Sequence, residues 1–405
     1  PRKTTLIFAC FLVFYEFLTY IANDMILPGM IHVVQSFHAP ESAVASSLTA
    51  YLLGGASLQL FLGPLSDFYG RRPMMLLGAF LFVLFTFLIT LSNSMEQFLI
   101  ARFFQGMGLC FIAVIGYAAI QELCEEMDAI RLIAIMANAA ILAPLLGPLI
   151  GSIIIHYKSW QFIFTIIGFG GLIALWGLWR YMPESLMSKR DPNNKNLQST
   201  LSFKVVYLNY KALFSDKTFC ATALALGLVG VPCVTWIALS PIILIVEGKL
   251  TVIQYGLWQL PIFGATILGN WCLHRLTYKY ELKKIILIGS NIWLLGILLT
   301  ALLPYLFGEH YYYLIPGTVI YFFALGVVTS PLNRYCLFIT KVSKGTASAI
   351  ISLNVMLIGA LGIEIANYIF KQHSNLSLGL LFILVSLVFF LMLLIAFKSS
   401  KAKES

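Results

Sequence analysis

Long apolar stretches recur along almost the whole chain, and only short polar breaks separate them. A helix needs about 20 mostly apolar residues to cross the hydrocarbon core of a bilayer. Twelve stretches are long enough, and they cover roughly 5–30, 42–66, 74–93, 96–121, 129–156, 159–182, 217–246, 252–275, 284–307, 311–340, 346–370 and 376–398. Hydrophobic residues make up 60% of the 405 residues and charged residues 11%, and a soluble fold could not cover so much apolar surface. We therefore predict an all-α membrane protein with twelve transmembrane helices.

One long polar segment, 183–216, interrupts this pattern between the sixth and seventh stretches. It predicts an N-terminal six-helix bundle over 1–182, a cytoplasmic linker over 183–216, a C-terminal six-helix bundle over 217–398 and a cytoplasmic tail over 399–405. Two sets of six helices are typical of transporters built from pseudo-symmetric repeats. Within the linker, residues 201–214 are amphipathic and predict a helix on the membrane surface.

Lysine and arginine residues are distributed very unevenly between the two sides of the predicted membrane. If the N-terminus is cytoplasmic, 21 of the 26 basic residues lie in cytoplasmic segments, and only Lys158, Lys249 and Lys371 lie on the opposite side. This bias predicts a multi-pass protein with both termini cytoplasmic. It also accounts for the net charge of +9, so we expect the lipid bilayer and no nucleic acid as a partner. The chain begins at Pro1 rather than Met, and we expect a short preceding segment.

Two carboxylates lie inside the first apolar stretch. Glu16, Tyr20 and Asn23 follow a spacing that places them on one face of a helix, and Asp24 is beside that face, about 12 Å along the axis from Glu16. A charged residue in the middle of a spanning helix costs at least ~2.5–3.5 kcal/mol. We therefore predict that Glu16 and Asp24 act in transport, where they can bind protons and substrate; a satisfied polar contact without a transport role is the alternative.

Two further charges fall inside predicted spans. Arg102 in the fourth stretch lies at a depth similar to that of Asp24, which is compatible with a charge pair between the two helices; a purely structural brace is the alternative. Glu364 in the eleventh stretch is either a second coupling carboxylate or part of a local structural contact. The second half of the chain is otherwise poor in such groups, so we assign the proton chemistry to the first six helices.

The sequence contains no phosphate-binding loop, no nucleophile–base constellation and no set of metal-ligand spacings. Catalytic residues, a metal site and a bound cofactor are therefore not predicted. Protons are the expected coupling ion.

The motif GPLSDFYGRRP, which begins at Gly63, resembles the loop signature between the second and third helices of the major facilitator superfamily. Gly63 and Gly70 permit a tight turn, and Asp67 can pair with Arg71 and Arg72. In that family the acidic residue belongs to a charge latch that holds the outward-facing state. The resemblance implies this role for Asp67, and a signal for orientation alone is the other interpretation.

Two stretches resemble further motifs of the same superfamily. Arg102–Gly106 is similar to its fourth-helix motif, in which the arginine is tied to proton transfer. Ala143–Gly151 is similar to the antiporter motif of the fifth helix, where small residues allow close helix contact and prolines kink the helix. The residues concerned are Pro144, Gly147, Pro148 and Gly151. This motif favours export over symport, and plain helix packing is the alternative.

Short segments in both halves resemble the multidrug/proton antiporters of the superfamily, namely Tyr15-Glu16, Tyr20–Asp24, Gly116–Glu122, Met136–Asn138 and Gly362–Ile365. The resemblance implies that Glu16 and Asp24 bind substrate and protons, and that Arg102 couples them. It further implies a substrate cavity lined by Tyr20, Asn23, Tyr117, Met136 and Asn138. Asn354 adds an individual lining residue in the second half. Helix packing is the alternative interpretation for each lining residue.

These observations together predict a proton-coupled multidrug efflux antiporter of the major facilitator type. It would export lipophilic cationic and neutral compounds across the bacterial inner membrane by alternating access, as a monomer. A dedicated exporter of one metabolite or siderophore on the same fold is the first alternative. A proton-coupled importer or sensor is the second, and a membrane enzyme is the third.

Overall fold

A computed structural model of the chain describes residues 2–124, 126–185, 203–340, 342, 344–372 and 374–404. These residues form helices and contain no β-strand. The first half comprises α1 (Arg2–Asp24), a 3-10 turn (Leu27–Gly29), α2 (Met30–Ser36), α3 (Ala43–Ser57), α4 (Gln59–Tyr69), α5 (Arg71–Thr90), α6 (Met95–Phe111), a π-helical turn (Ile112–Gly116), α7 (Tyr117–Leu123), α8 (Glu126–Tyr157) and α9 (Gln161–Tyr181).

The second half begins with α10 (Phe203–Ser215), which covers most of the predicted surface helix; Leu201 and Ser202 lie outside the described residues. It continues with α11 (Lys217–Pro241), a π-helical turn (Ile242–Glu247), α12 (Val252–Leu276), α13 (Leu282–Phe307), a 3-10 turn (Tyr311–Tyr313), α14 (Ile315–Ile339), α15 (Lys344–Ile369), a 3-10 turn (Phe370–Gln372) and α16 (Asn375–Glu404).

Each of the twelve predicted apolar stretches coincides with a long helical segment. Nine helices of the described residues are long and apolar enough to cross a membrane, and α3 with α4, bent by 44°, forms a tenth candidate. The other two stretches correspond to α8 and α12, which are 32 and 25 residues long. They are less uniformly apolar: only Leu142–Tyr157 of α8 forms a short apolar helix, and α12 carries Gln254 and Gln259.

Short-range capping groups determine where several of these helices begin. The Ser94 hydroxyl accepts a hydrogen bond from the Gln97 N–H and thereby caps α6. The Asp216 carboxylate accepts from the Thr218 and Phe219 N–H groups at the start of α11. Such side chains satisfy backbone donors that the first helical turn leaves unpaired. The polar breaks between apolar stretches therefore act as helix boundaries as well as membrane boundaries.

The chain forms two compact units: Pro1–Ala39 with Ala50–Tyr207, and Pro40–Thr49 with Leu208–Ser405. In the first unit α1 packs on α8 and α9, and α5 packs on α6 and α9. In the second unit α11 packs on α15 and α16, and α13 packs on α14 and α16. The same pairing order recurs after six spans, which is the packing expected of two structural repeats.

Candidate transport site

The carboxylate of Glu16 lies in the first unit beside a small cavity. Its side chain is 1% exposed, and the Tyr117 hydroxyl donates a hydrogen bond of 3.0 Å to its Oε1 atom. The Oε2 atom is also buried and has no hydrogen-bond partner among the described residues. The cavity has a volume of about 180 Å³ and is lined by Glu16, Tyr20, Leu109, Ile112, Ala113 and Tyr117. One free carboxylate oxygen in an otherwise apolar and aromatic site is suited to a lipophilic cation or a proton.

An irregular turn in the fourth span shapes this cavity. Residues Ile112–Gly116 form a π-helical turn between α6 and α7, and Tyr117 is the first residue after it. Such a turn widens the helix locally and recurs at functional sites. At Gly116 an added Cβ would lie 3.3 Å from the Leu12 Cδ1 atom, so the glycine lets the fourth span approach α1 closely. The turn thus brings Tyr117 within hydrogen-bonding distance of Glu16.

Asp24 and Arg102 are connected through the side chain of Asn23. Arg102 is completely buried, and its Nη2 atom donates to the Asn23 Oδ1 atom at 2.7 Å. The Asn23 amide in turn donates to the Asp24 Oδ1 atom at 3.3 Å. The guanidinium also lies 4.5 Å from the centre of the Tyr51 ring, a cation–π contact. Asn23 thus connects the guanidinium of Arg102 to the carboxylate of Asp24 through hydrogen bonds.

The antiporter motif in α8 packs directly on Asp24. A Cβ atom at Gly147 would lie 2.6 Å from the Cβ atom of Asp24, and one at Gly151 would lie 2.0 Å from the Met25 carbonyl oxygen. Only glycine permits such an approach at these two positions. Pro144 and Pro148 are both inside the same helix. The motif consequently holds the backbone of α8 against the part of α1 that carries the second carboxylate.

The predicted latch residues form an ion-pair cluster in the first unit. An Nη2 atom of Arg71 lies 2.6 Å from the Asp67 Oδ1 atom and 3.2 Å from the Glu122 Oε1 atom. Arg71 also donates to the Ser66 hydroxyl. Since Asp67 and Glu122 share one guanidinium, the end of the second span is tied to the end of the fourth.

The carboxylate of Glu184 holds the turn between α4 and α5. Glu184 accepts hydrogen bonds from the backbone N–H groups of Arg71 at 3.0 Å and Arg72 at 3.1 Å. The Arg72 side chain donates to the Trp179 carbonyl oxygen at 2.6 Å. Gly70 has a φ of 105°, a backbone conformation that L-residues with a side chain rarely adopt. At Gly63 the closest atom to an added Cβ lies at 3.8 Å, so close packing does not require that glycine.

Comparison with known proteins assigns the family. The sequence model of the Major Facilitator Superfamily matches residues 12–363, which is most of the chain. The chain belongs to the major facilitator superfamily. The all-helical major facilitator fold predicted from the sequence is thereby confirmed, with a helical segment over each of the twelve predicted stretches.

Two relatives of this major facilitator protein are similar over nearly the full length. A protein named Multidrug transporter MdfA from Yersinia pestis bv. Antiqua (strain Angola) is 42% identical over 394 residues, which is 96% of this chain and 94% of the relative. A protein of the same name from Edwardsiella piscicida is 42% identical over 375 residues, which is 92% of this chain and 89% of the relative.

Solved structures share the same fold at low sequence identity. A D-xylose-proton symporter has a TM-score of 0.74 at 16% identity, with 95% of this chain and 97% of that chain covered. A bacterial homologue of the human lysosomal transporter Spinster, inward-facing and unoccupied, has a TM-score of 0.74 at 14% identity, with 99% and 98% covered. These likenesses concern the architecture alone.

The remaining residues predicted for the site of this major facilitator protein have varied environments. Met136 is fully buried in α8, whereas the side chain of Asn138 lies outside the described residues. In the second unit Asn354 is partly buried, and its amide donates to the Ala223 carbonyl oxygen. Glu364 on α15 is exposed. Within the described residues, no group of three or more His, Cys, Asp or Glu side chains could hold a metal ion.

Four residues in these clusters had no role predicted for them from the sequence. Glu122 and Glu184 follow the fourth and sixth spans, and their position at the same predicted membrane face as Arg71 was the available signal. Gln105 and Thr86 belong to the Arg102 cluster. Gln105 lies one helical turn after Arg102, but nothing in the sequence alone indicates Thr86.

Proposed function

We propose that this protein is a proton-coupled multidrug efflux antiporter of the bacterial inner membrane, which exports lipophilic cationic and neutral compounds. The observation that carries this proposal is the buried Glu16 carboxylate, which lines a cavity with aromatic and apolar walls and has one oxygen, Oε2, without a hydrogen-bond partner among the described residues. The relatives named Multidrug transporter MdfA support the substrate class.

Substrate binding uses both the charge and the walls of this cavity. A lipophilic cation pairs with Glu16, while its apolar body packs on Leu109 and Ile112 and on the rings of Tyr20 and Tyr117. A neutral compound uses the walls alone. The cavity is too small for a drug-sized ligand as it stands, so it widens when a drug binds.

Protons drive export by competing with the cation. A proton on Glu16 removes the charge that holds the cation, and the drug then leaves on the outer side. Release of that proton to the cytoplasm restores the site. Asp24 is a second proton-binding group, and its contact with Asn23 and with the glycine face of α8 connects its charge to helix packing. Protonation can thereby favour one helix arrangement over another, which alternating access requires.

The same proposal includes three further properties. The proton is the coupling ion, and no cofactor takes part, since the buried carboxylates supply the titrating groups. The protein acts as a monomer, with its site built within one chain. Both termini are cytoplasmic, in keeping with the excess of lysine and arginine on that side.

The experiment that tests this function uses inverted membrane vesicles with an imposed proton gradient, acidic inside. Ethidium and a neutral dye, Nile red, are added in turn, and a pH-sensitive dye records proton movement. We expect proton efflux with both compounds and none in vesicles lacking the protein. Glu16→Gln should abolish the response to ethidium, whereas Glu96→Gln, a change at an exposed carboxylate, should not.

Two outcomes would contradict the proposal. No response to either compound, with the protein correctly inserted, would favour the dedicated exporter of one metabolite or siderophore. Full drug–proton exchange in a Glu16→Gln, Asp24→Asn double variant would show that these carboxylates do not couple the two fluxes.

A further inference from the structure

A continuous chain of hydrogen bonds connects the third span to Asp24. It begins at Thr86 in α5, whose Oγ1 atom accepts from the Gln105 Nε2 atom at 2.9 Å. The Gln105 Oε1 atom accepts from the Arg102 Nη1 atom at 2.6 Å. Arg102 then donates to Asn23, which donates to Asp24. Thr86, Gln105 and Arg102 are all fully buried, so bulk water does not compete for these bonds.

The Thr86 hydroxyl determines the direction of the first link. Its single proton is donated to the Phe82 carbonyl oxygen at 2.6 Å, so toward Gln105 its oxygen can only accept. Gln105 must therefore present its NH₂ group to Thr86 and its carbonyl oxygen to Arg102. The opposite amide orientation would place an NH₂ group against a guanidinium, which has donors only.

The same logic continues on the other side of Arg102. Because the guanidinium donates, Asn23 must turn its carbonyl oxygen toward Arg102 and its NH₂ group toward Asp24. The two amides thus enclose the guanidinium between two carbonyl oxygens. The orientation set by the Thr86 hydroxyl is therefore passed through Gln105 and Arg102 to the Asn23 NH₂ group, which donates to Asp24.

We propose that Thr86 is a positioning residue for proton coupling, because its hydroxyl orients Gln105 and thereby holds Arg102 and Asn23 in place beside Asp24. The inference rests on the proposed function and extends it to a residue on a different helix. Among the described residues, the Thr86 hydroxyl is hydrogen-bonded to Gln105 and Phe82 and not to Asp24, and Thr86 does not line the Glu16 cavity, so its effect on Asp24 passes through Gln105.

The test is a comparison of two substitutions that differ in the hydroxyl. Thr86→Val keeps the side-chain volume but removes the acceptor, which leaves the buried Gln105 NH₂ group unpaired or lets the amide turn over. Thr86→Ser keeps the acceptor. We expect Thr86→Val to lower ethidium-driven proton release per bound drug about tenfold, the effect of losing one buried hydrogen bond, and Thr86→Ser to retain it. Ethidium binding to the purified protein should change less than twofold in both variants.

Thr90→Val is the matched control. Thr90 lies one turn further along α5, and its hydroxyl donates to the Phe87 carbonyl oxygen in the same local manner. This variant loses a comparable hydroxyl outside the chain, so its ratio of proton release to bound drug should stay that of the wild type.

A double-mutant cycle tests the route through Gln105. Gln105→Leu alone should reduce proton release as strongly as Thr86→Val. The double variant should lose no more proton release than either single variant, because both changes interrupt the same chain of hydrogen bonds. Additive losses would overturn the proposal, as would equal losses of drug binding and proton release in Thr86→Val.

The outcome for the wild type separates this inference from the proposed function. Normal proton release by both the wild type and Thr86→Val would overturn the role of Thr86 alone. Absence of proton release by the wild type would overturn the proposed function, and this inference with it.

Discussion

The two units pack their helices in the same order but differ in the chemistry of their buried polar groups. The first unit buries Glu16, Asp24 and Arg102. The second unit contains a cavity of about 260 Å³ lined by Thr235, Trp236, Ile243, Thr300, Leu314, Thr318, Tyr321, Leu378 and Phe382. None of these lining residues is charged. Similar helix packing therefore surrounds buried charged side chains in the first unit and an uncharged cavity in the second.

Most of the buried hydroxyl groups around the cavity of the second unit are hydrogen-bonded to nearby carbonyl oxygens, so no charged partner is needed there. Thr300 and Thr318 each donate to the carbonyl oxygen of the residue four positions earlier in the chain, at 2.9 Å. The Tyr321 hydroxyl donates to the Pro232 carbonyl oxygen at 3.3 Å. Hydroxyls that are hydrogen-bonded in this way are neutral and need no counter-charge, and they do not gain or lose a proton near neutral pH. Similar helix packing in the two units therefore does not imply similar site chemistry, which depends on the side chains of each site.

The largest expected effect comes from removing both carboxylates of the first unit. Glu16→Gln with Asp24→Asn should reduce drug–proton exchange to the level of vesicles lacking the protein, because both carboxylates of α1 that could bind a proton are then removed. Proton efflux after ethidium addition measures it. Glu364→Gln, in the second unit, is the comparison and should retain exchange; loss in that variant would show that both units supply coupling carboxylates.

A conservative change at the arginine should have a smaller but clear effect. Arg102→Lys keeps the positive charge but cannot bond Gln105, Asn23 and the Ala22 carbonyl oxygen in the geometry of the planar guanidinium. We expect proton release to fall about tenfold. Arg180→Lys, at the exposed end of α9, should behave as the wild type. Equal activity of both variants would mean that charge alone suffices at Arg102.

Alanine substitutions at one glycine in each unit compare how closely the helices pack at these two positions. Gly147→Ala would place a Cβ atom 2.6 Å from that of Asp24 and force α8 away from α1. We expect it to destabilise the protein by about 1–3 kcal/mol, the usual cost of overpacking. Gly264→Ala in the second unit meets no described atom within 4 Å and should be neutral or slightly stabilising. Thermal unfolding in detergent compares the two, and similar melting temperatures would contradict the contact at Gly147.

The smallest effect is expected in the cavity of the second unit. Thr235 is 1% exposed, and its hydroxyl has no hydrogen-bond partner among the described residues. Thr235→Val removes that unpaired group and keeps the volume, so stability should rise by up to ~1 kcal/mol and drug–proton exchange should not change. A loss of exchange would assign this cavity a role in transport and weaken the contrast between the units.

Much of the fold was predictable because membrane insertion is governed by local sequence. The length of each apolar stretch and the polar breaks between them placed ten of the twelve helical segments close to their observed bounds. The first stretch is instead divided after Asp24 into α1 and α2, and α16 extends beyond the predicted end of the last stretch to Glu404. The charges inside spans were equally visible, since Glu16, Asp24 and Arg102 stand out against apolar neighbours. The bend at Leu58 between α3 and α4 was not predicted, nor was the π-helical turn at Ile112–Gly116.

The sequence by itself determined the membrane class, the number and position of the spans, and which spans carry charge, because each follows from the residues of one segment. Only the tertiary structure decided which of those residues meet. That Asn23 stands between Asp24 and Arg102, that Glu122 shares Arg71 with Asp67, and that Thr86 reaches Gln105 all depend on how neighbouring helices are rotated about their axes. Such rotations are set by packing between distant segments, through contacts such as Gly147 against Asp24, and no single stretch of sequence specifies them.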